Sequence, residues 1–327
     1  MFSNNSNMPF THHLLNDGYG IGFTAYSNPP TVTLPRLKGI TTGSTPNFID
    51  AVLNIAEDDT SSSLGDNDSW VKQMHSNGWR INMFGDDTWL KLFPDYFSKT
   101  DGTASFYVSD FTIVDNNVTR HLDYELSAEG KGKWDCLILH YLGLDHIGHK
   151  GGPGSSNMPM KQLEMDSIVK KIFHDVLEND EDTLLVVMGD HGMNEVGNHG
   201  GSSIGETSAA LGIFSSKFKK FVDADSHDWN NGCKAPVEQN PDFSYFHKID
   251  QIDLVPTLTT LLGFDIPINN LGNFLPQLFP LYSAEEQRNV LIKNALQLKV
   301  LLDKSKNEKT KLEEDVSNIE STSTLLE

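Results

Sequence analysis

Five side chains that commonly bind metals follow two apolar runs of the sequence. In LGLDHIGH, Asp145 and His149 are separated by three residues, and in VVMGDHGMNEVGNHGG, Asp190 adjoins His191 while His199 follows eight positions later. Carboxylate oxygens and neutral imidazole nitrogens are the ligands that zinc and similar divalent ions take in open catalytic sites. Five such groups at two adjacent strand ends supply most of the ligands of two metal ions.

Other residues of metal-binding type lie outside this pattern. His140 and His146 occupy the same stretch but do not fit the spacing, so we interpret both as structural. The two cysteines, Cys136 and Cys233, are too few for a disulfide framework or a zinc ribbon.

A threonine upstream is the candidate nucleophile. Thr33 stands directly before Leu34-Pro35 in TVTLPRLKGITTG, and proline is favoured in the first turn of a helix, so Thr33 should lie at a helix N-terminus. Backbone N–H groups and the helix dipole hold phosphate at such a position, and a metal lowers the pKa of a bound hydroxyl. Thr33 can therefore attack phosphorus, although its position equally suits a simple helix cap.

The elements that must position these residues are short apolar strands and amphipathic helices. Strands are predicted over 134–145, 182–190 and 209–216, and helices over 160–180 and 248–264. A strand, a helix and a second strand, with continuous apolar strands, indicate an α/β fold whose mostly parallel sheet is covered on both faces. Ligands bind beyond the carboxyl ends of such strands, which is where the acids and histidines lie.

Composition restricts the partners of the chain. Its 327 residues, 38% of them hydrophobic, can bury a sizeable core. The net charge of -20 argues against nucleic acid or an anionic membrane surface as the main partner, so a phosphate site needs metal ions or local positive groups. No run has the length and apolarity of a signal peptide or a membrane span. Three sequons, at Asn4, Asn67 and Asn117, are glycosylation candidates that suit a secretory lumen.

Together these motifs resemble the alkaline phosphatase superfamily. Its nucleotide pyrophosphatase/phosphodiesterase branch carries a threonine nucleophile in T-F-P-x-x-x-x-x-x-T-G, then D-x-x-G-H, D-H-G-M and a later histidine. The corresponding segments here are TLPRLKGITTG, DHIGH, DHGM and NHGG, and GDDTWLKLFP and SDFTIVDNNVTRHLD are similar to the lumenal domain of the GPI ethanolamine phosphate transferases. The resemblance covers roughly residues 17 to 280 and implies an alkaline phosphatase-like fold, with a mostly parallel central sheet sandwiched by helices.

The resemblance also implies an activity. Members of this family move phosphoethanolamine from phosphatidylethanolamine to a mannose of the GPI anchor precursor, and the similarity is greatest to those that act on the second mannose. We therefore expect phosphatidylethanolamine and the GPI precursor glycolipid as partners and no nucleic acid. The catalytic domain is expected in the lumen of the endoplasmic reticulum, attached to its membrane through segments that this sequence does not contain.

Individual residues acquire roles by the same resemblance. Thr33 matches the nucleophile and binds one of two divalent ions, expected to be zinc, together with Asp190 and His191. The ligands of the partner ion match three residues: Asp145, His149 and His199.

The segment GDDTW also matches a family signature. It contains Asp86, Asp87 and Thr88, whose chemical role the sequence does not give. Contact with lipid or ethanolamine and a structural turn are both open.

The chain departs from the family pattern at its two ends. The family places one more metal-ligating aspartate on a strand upstream of the nucleophile, whereas Asp17 in LLNDGYG follows no apolar strand. We therefore expect residues 1–282 to form the catalytic domain without its first strand, and residues 283–327 to form an amphipathic helical tail or linker. Such a truncated chain should be inactive or nearly so.

Two other functions stay open. A soluble metal-dependent phosphodiesterase or phosphomonoesterase of the same superfamily would use the same metals with water as the acceptor. A non-catalytic remnant would bind metal or lipid without turnover. Release of phosphate or nucleotide from small esters favours the former, and a metal-binding chain in which Thr33→Ala has no effect favours the latter.

Overall fold

The chain folds into an α/β structure. The computed structural model describes residues 6–45, 63–105, 107–219 and 246–324. Within these ranges the strands are β1 (Gly20–Tyr26), β2 (Ile81–Asp86), β3 (Lys99–Thr103), β4 (Cys136–His140), β5 (Leu185–Met188), β6 (Ser208–Phe214) and β7 (His247–Asp250). The helices are α1 (Pro9–Asn16), α2 (Thr33–Thr42), α3 (Trp70–Ser76), α4 (Thr88–Leu92), α5 (Ile113–Thr119), α6 (Leu122–Glu125), α7 (Gly143–Gly151), α8 (Met158–Asp175), α9 (Ile204–Thr207), α10 (Leu254–Leu261) and α11 (Ala284–Thr324).

The strands form two sheets. Strands β3, β2 and β4 form a parallel sheet in that order, and β5, β6, β1 and β7 form a mixed sheet. Strand β6 is antiparallel to both β5 and β1, whereas β1 and β7 are parallel. The predicted α/β class is therefore confirmed, but the predicted strand 209–216, observed as β6, runs against its neighbours. The connection from β5, residues 189–207, contains the four-residue helix α9 and not the longer helix that usually bridges parallel strands.

Helices pack on the sheets through three apolar clusters. Strand β2 is buried at every position, as a strand covered on both faces should be. Its residues Ile81 and Met83 share a core with residues of α2, α3 and α4. A second cluster joins α1 and α8, and a third joins β1 and β6 to α10 and the start of α11. The first cluster fixes α2, and with it Thr33, against the sheet.

The two strands that precede the predicted ligands are edge strands within the described ranges. Strand β4 pairs there with β2 only, and β5 pairs with β6 only. Every residue of both strands is half-buried, although CLILH and LVVM are almost entirely apolar. Their carboxyl ends nevertheless lie close together, because the side chains that follow them are in contact.

The helix predicted over 248–264 is only partly present. Its first residues form β7, a 3₁₀ turn follows at Gln251–Asp253, and the helix proper is α10. Asp250 and Asp253 form a capping box at the turn, which starts the helical segment later than the apolar pattern predicts. Parallel pairing of β7 with β1 thus outweighs the local helical preference.

The C-terminal helix is anchored at its start. Val290 is buried in the core, and Asn294 Oδ1 accepts a hydrogen bond of 2.9 Å from the Phe274 N–H. Apolar residues such as Leu296 and Val300 are exposed on the same helix. A division into a catalytic domain and a tail at residue 282 stays a prediction. None of the helices in the described ranges combines the length and the apolarity that crossing a membrane requires.

Candidate metal centre

Helix α7 carries two of the predicted ligands on one face. It begins directly after Leu142, and Gly152 terminates it with a φ of +69° that favours glycine. Asp145 and His149 are one helical turn apart, so their side chains lie side by side. His149 Nε2 is 3.2 Å from Asp145 Oδ2.

The loop between β5 and β6 supplies the other three. His199 Nε2 is 3.0 Å from His149 Nε2 and 3.7 Å from Asp145 Oδ1. The rings of His191 and His199 stack with their centroids 3.9 Å apart, and Asp190 Oδ2 is 3.5 Å from His191 Nε2. The structure therefore brings all five side chains into one contiguous cluster.

Three residues of this cluster are close enough to share one ion. The ligand atoms of Asp145, His191 and His199 all lie within 4.8 Å of one another. Nitrogen and oxygen ligands lie about 2.0–2.2 Å from a zinc ion, so these atoms are near the separation that a single ion requires. Because His191 was assigned to one ion by resemblance and the other two residues to its partner, the division of ligands between two ions stays a prediction.

Two carboxylate oxygens show that the cluster suits a cation. Asp145 Oδ1 and Asp190 Oδ2 are shielded from solvent and have no hydrogen-bond partner among the residues that the structure describes. A buried carboxylate oxygen without a partner is costly to the folded state. A divalent ion would satisfy both oxygens, and the imidazole and carboxylate donors around them are the set that such an ion takes.

The electrostatics of the cluster prepare Asp145 and His199 for metal binding at neutral pH. Burial raises the pKa of Asp145, but the hydrogen bond from His149 and the charges of the nearby imidazoles outweigh it, and the net pKa is below the usual value. The same hydrogen bond raises the pKa of His149. Burial, assisted by the charge of His191, lowers the pKa of His199. The cluster thus holds an ionised carboxylate and a neutral His199, the protonation states in which these groups bind metals.

Thr31 ties the loop before α2 to the cluster. Its carbonyl oxygen is 2.8 Å from His199 Nδ1, a contact that turns Nε2 of this ring toward the other ligands. Thr31 Oγ1 accepts a hydrogen bond from the Gly200 N–H and donates one to the Gly201 carbonyl, each at 2.9 Å. Gly200 has a φ of +105°, which explains glycine at this position.

Thr33 begins helix α2, as its position before Leu34-Pro35 predicts. It is half-buried and lies two residues after Thr31, whose carbonyl contacts His199. The N–H groups of the first turn and the helix dipole make this end of α2 favourable for a phosphate. The predicted nucleophile therefore lies at the start of the helix whose preceding loop contacts the cluster of candidate metal ligands.

Helix α2 also carries a buried cation that the sequence analysis missed. Arg36 has no exposed surface, and its Nη1 is 3.5 Å from Gln251 Oε1. Burial lowers its pKa to about 10, an effect that the carboxylate of Asp190 opposes, so the guanidinium stays charged at neutral pH. In the sequence, the position of Arg36 about one helical turn after Thr33 is the feature that could have pointed to it. Composition and hydropathy do not reveal that an arginine is buried.

The GDDTW segment ends β2 at the same sheet edge as the cluster, since β2 and β4 are parallel neighbours. Asp86 is fully buried, and its Oδ1 accepts a hydrogen bond of 2.8 Å from the Thr88 N–H. Asp87 precedes α4 and lies 3.5 Å from Lys91 Nζ. Asp86 Oδ2 has no hydrogen-bond partner within the described part of the chain. The geometry is that of a strand-ending turn, and contact with lipid or ethanolamine stays a prediction.

The two histidines interpreted as structural make protein contacts. His140 Nδ1 accepts a hydrogen bond of 3.0 Å from Trp89 Nε1. His146 is buried, with Nδ1 2.7 Å from the Asp110 carbonyl and Nε2 3.0 Å from the Ser105 carbonyl. Both ring nitrogens of His146 are thus occupied by backbone oxygens.

The candidate glycosylation sites differ in exposure. Asn67 is exposed in the turn before α3. Asn117 is half-buried within α5, and Asn4 lies outside the described residues.

Comparison with known sequences supports the resemblance drawn from the motifs. Residues 1–211, about two thirds of the chain, match the family model of type I phosphodiesterase / nucleotide pyrophosphatase. The chain is 58% identical over 299 residues to GPI ethanolamine phosphate transferase 2 of Candida albicans, covering 91% of this chain and 32% of the relative. It is 56% identical over 301 residues to the protein of the same name from Yarrowia lipolytica, covering 92% and 34%. The resemblance is confirmed, and the chain spans about a third of the length of these curated relatives.

Solved structures share the fold. A protein of the alkaline phosphatase superfamily from Vibrio parahaemolyticus superposes with a TM-score of 0.53 at 17% identity, covering 81% of this chain and 63% of that one. Murine ectonucleotide pyrophosphatase / phosphodiesterase 5 gives 0.53 at 12% identity, covering 80% and 91%. At identities this low, the superpositions establish the alkaline phosphatase-like fold alone. The family follows from the sequence match. The chain belongs to the type I phosphodiesterase / nucleotide pyrophosphatase family.

Proposed function

We propose that the chain is the metal-binding part of an enzyme that transfers phosphoethanolamine from phosphatidylethanolamine to a mannose of the GPI anchor precursor. The observation that carries the proposal is the cluster of five metal-binding side chains next to the loop that leads into Thr33 and α2. The names of the relatives indicate the transferred group and the acceptor. By similarity to them, we propose the second mannose as the acceptor.

Two divalent ions, zinc by preference, are the proposed cofactors. One would be held by Thr33, Asp190 and His191, and the other by Asp145, His149 and His199. When bound, such ions neutralise charge on the phosphoryl oxygens and lower the pKa of a hydroxyl. The net charge of -20 is compatible with a phosphate substrate because the positive charge is then local to the site.

In the proposed reaction Thr33 acts twice. Its Oγ attacks the phosphorus of phosphatidylethanolamine, the bond from Oγ to phosphorus forms, and the bond from phosphorus to the diacylglycerol oxygen breaks. The proton lost from the threonine hydroxyl balances the one taken up by diacylglycerol. A mannose hydroxyl then attacks the same phosphorus, its proton is released, and Thr33 leaves and regains a hydroxyl proton.

The proposed location is the lumen of the endoplasmic reticulum. GPI anchor precursors are membrane glycolipids, so the whole protein would act at the membrane, with this domain on the lumenal side. The exposed Asn67 would be a glycosylation site there.

A phosphodiesterase that uses water is the second candidate, because the matched family model is named for that chemistry. The first half-reaction at Thr33 would be the same. Water, rather than a mannose hydroxyl, would then attack the phosphothreonine. The two proposals therefore differ in the acceptor alone.

A graft tests the function without depending on the isolated chain. The segment of this chain that aligns with Candida albicans GPI ethanolamine phosphate transferase 2 replaces its counterpart there, in yeast cells that lack their own enzyme. Mass spectrometry of the GPI lipids then reports ethanolamine phosphate on the second mannose. We expect the graft to restore this modification and Thr33→Ala to abolish it.

Thr41→Ala is the matched control within the same helix. The Thr41 hydroxyl donates a hydrogen bond of 2.7 Å to the Leu37 carbonyl and lies away from the first turn of α2, so this variant should stay active. A Thr33→Ala graft that still modifies the mannose would contradict the proposed nucleophile. Release of free ethanolamine phosphate without modified mannose would favour the water-dependent phosphodiesterase.

A further inference from the structure

The segment SDFTIVD, residues 109–115, is packed against helix α7 by a buried carboxylate. Asp115 lies in the first turn of α5 and has no exposed surface. Its Oδ1 accepts hydrogen bonds from the Leu142 N–H at 3.0 Å and from the Gly143 N–H at 2.9 Å. These N–H groups begin α7, the helix of Asp145 and His149.

Helix α7 depends on this contact because its own cap residue offers no acceptor. The first N–H groups of a helix have no partner inside the helix, and they are usually satisfied by a polar side chain at the cap. In α7 the cap is Leu142, whose side chain cannot accept a hydrogen bond. Asp115 takes that role from 27 residues away, and its negative charge also complements the helix dipole.

The fit between Asp115 and the start of α7 is tight. A Cβ atom added to Gly143 would lie 2.2 Å from Asp115 Oδ2 and 2.9 Å from the Phe111 carbonyl oxygen. Glycine is therefore required for this close approach of the two segments. The contact of His146 Nδ1 with the Asp110 carbonyl holds the next turn of α7 to the same segment.

A buried lysine balances the carboxylate. Lys161 on α8 is 5% exposed, and its Nζ is 3.0 Å from Asp115 Oδ2 and 2.9 Å from Glu164 Oε1. Removing one member of such a pair leaves an uncompensated charge in the interior, whereas removing both charges together can be nearly neutral. Asp115 and Lys161 can thus be replaced together by uncharged residues, provided that the residue at position 115 keeps an oxygen that accepts from the Leu142 and Gly143 N–H groups.

We propose that Asp115 is a positioning residue that sets the location of helix α7 and thereby brings Asp145 and His149 to the metal cluster. The inference rests on the metal centre of the proposed function. Residues that orient metal ligands without touching the ion contribute about 10-fold to 100-fold to metal affinity in other proteins. Asp115 acts on the backbone of the helix that carries both ligands, so its loss should displace them together.

Cobalt titration of the purified chain tests the proposal, because the visible absorption of bound Co²⁺ reports both affinity and coordination geometry. Asp115→Ala should weaken Co²⁺ binding roughly 10-fold to 100-fold and change the shape of the spectrum. The double variant Asp115→Asn/Lys161→Met keeps an oxygen acceptor for the two N–H groups and removes both charges, so its affinity and spectrum should be close to those of the wild type. Asp123→Asn is the surface control, since Asp123 is 93% exposed in its pair with Lys171.

Different results would overturn the positioning role of Asp115 and the metal centre itself. Equal affinity and an unchanged spectrum in Asp115→Ala and Asp123→Asn would overturn the positioning role, even if Asp115→Ala lowers the Tm. If Asp115→Ala does not fold, two other variants decide. In Gly143→Ala the added Cβ would press against Asp115 Oδ2, so this variant should bind Co²⁺ more weakly, whereas the double variant should bind it like the wild type. Equal affinities of these two variants would overturn the proposal. A wild-type chain that binds no Co²⁺ would overturn the metal centre itself.

Discussion

Arg36 allows the sharpest stability prediction. Its guanidinium is fully buried on α2, and Nε and Nη2 have no hydrogen-bond partner in the part of the chain that the structure describes. Burial lowers the pKa of Arg36 to about 10, although the carboxylate of Asp190 opposes the change. The folded state therefore contains a charge that its surroundings satisfy only in part.

The pKa gives the size of this cost. At about 1.36 kcal/mol per pKa unit, lowering this pKa to about 10 disfavours the charged form in the folded state by about 3 kcal/mol. Because the folded pKa lies below the unfolded one, the cost is fully present below about pH 10 and disappears as the pH rises further toward the unfolded pKa. Arg36→Met keeps an unbranched side chain without the charge, so the metal-free chain should become more stable at neutral pH, by up to about 3 kcal/mol.

Urea unfolding of the chain in EDTA measures this change. The midpoint should move to higher urea at an unchanged m value. Arg288→Met, on the exposed surface of α11, is the matched control and should leave the midpoint where it is. An Arg36→Met chain that unfolds at lower urea than the wild type would refute the reasoning, because the guanidinium would then be satisfied by contacts that stabilise the fold.

Three further predictions concern the cluster and the surface. Zinc at roughly 100 times its Kd should stabilise the chain by about 2.7 kcal/mol, measured in a thermal melt. His199→Ala should remove most of this stabilisation. His13→Ala is the surface control, since His13 is 62% exposed, and an equal loss of stabilisation in this variant would contradict the prediction. Metal affinity should rise with pH above 6.5, because the raised pKa of His149 lets protons compete with the metal for that ring. A Co²⁺ affinity that does not change with pH in this range would contradict the prediction. The contact that raises this pKa stabilises the metal-free fold below 6.5, and its contribution is lost as the pH rises through the raised value. In a secretory host, mass spectrometry should find a glycan on Asn67 and none on the half-buried Asn117; the reverse pattern would contradict the exposure argument.

The cluster could be predicted from sequence because its residues follow strand ends. Apolar runs locate β4 and β5, and polar groups beyond the carboxyl ends of such strands are candidate ligands. The two ends lie close together although β4 and β5 belong to different sheets. The predicted strand 134–145 extends to Asp145, but the observed strand ends at His140, and Asp145 and His149 lie one turn apart on α7. The relation between His191 and His199 was not predictable in this way, because the loop that stacks their rings has no regular period.

Other parts of the fold depend on contacts that are distant in sequence. Strand β3, KTDGT, has no apolar pattern and forms by pairing with the buried β2. Strand β7 lies within a helical pattern and is recruited by β1. Asp115 and Arg36 look like ordinary polar residues of helices, and their burial becomes evident only from the elements packed around them.

Anomalous X-ray diffraction at the zinc edge, from crystals of the chain grown with zinc, tests the central claim most directly. We expect an anomalous peak among the side chains of Asp145, His191 and His199, at the loop that leads into Thr33 and α2. Zinc bound only at surface carboxylates, with no peak in this cluster, would contradict it.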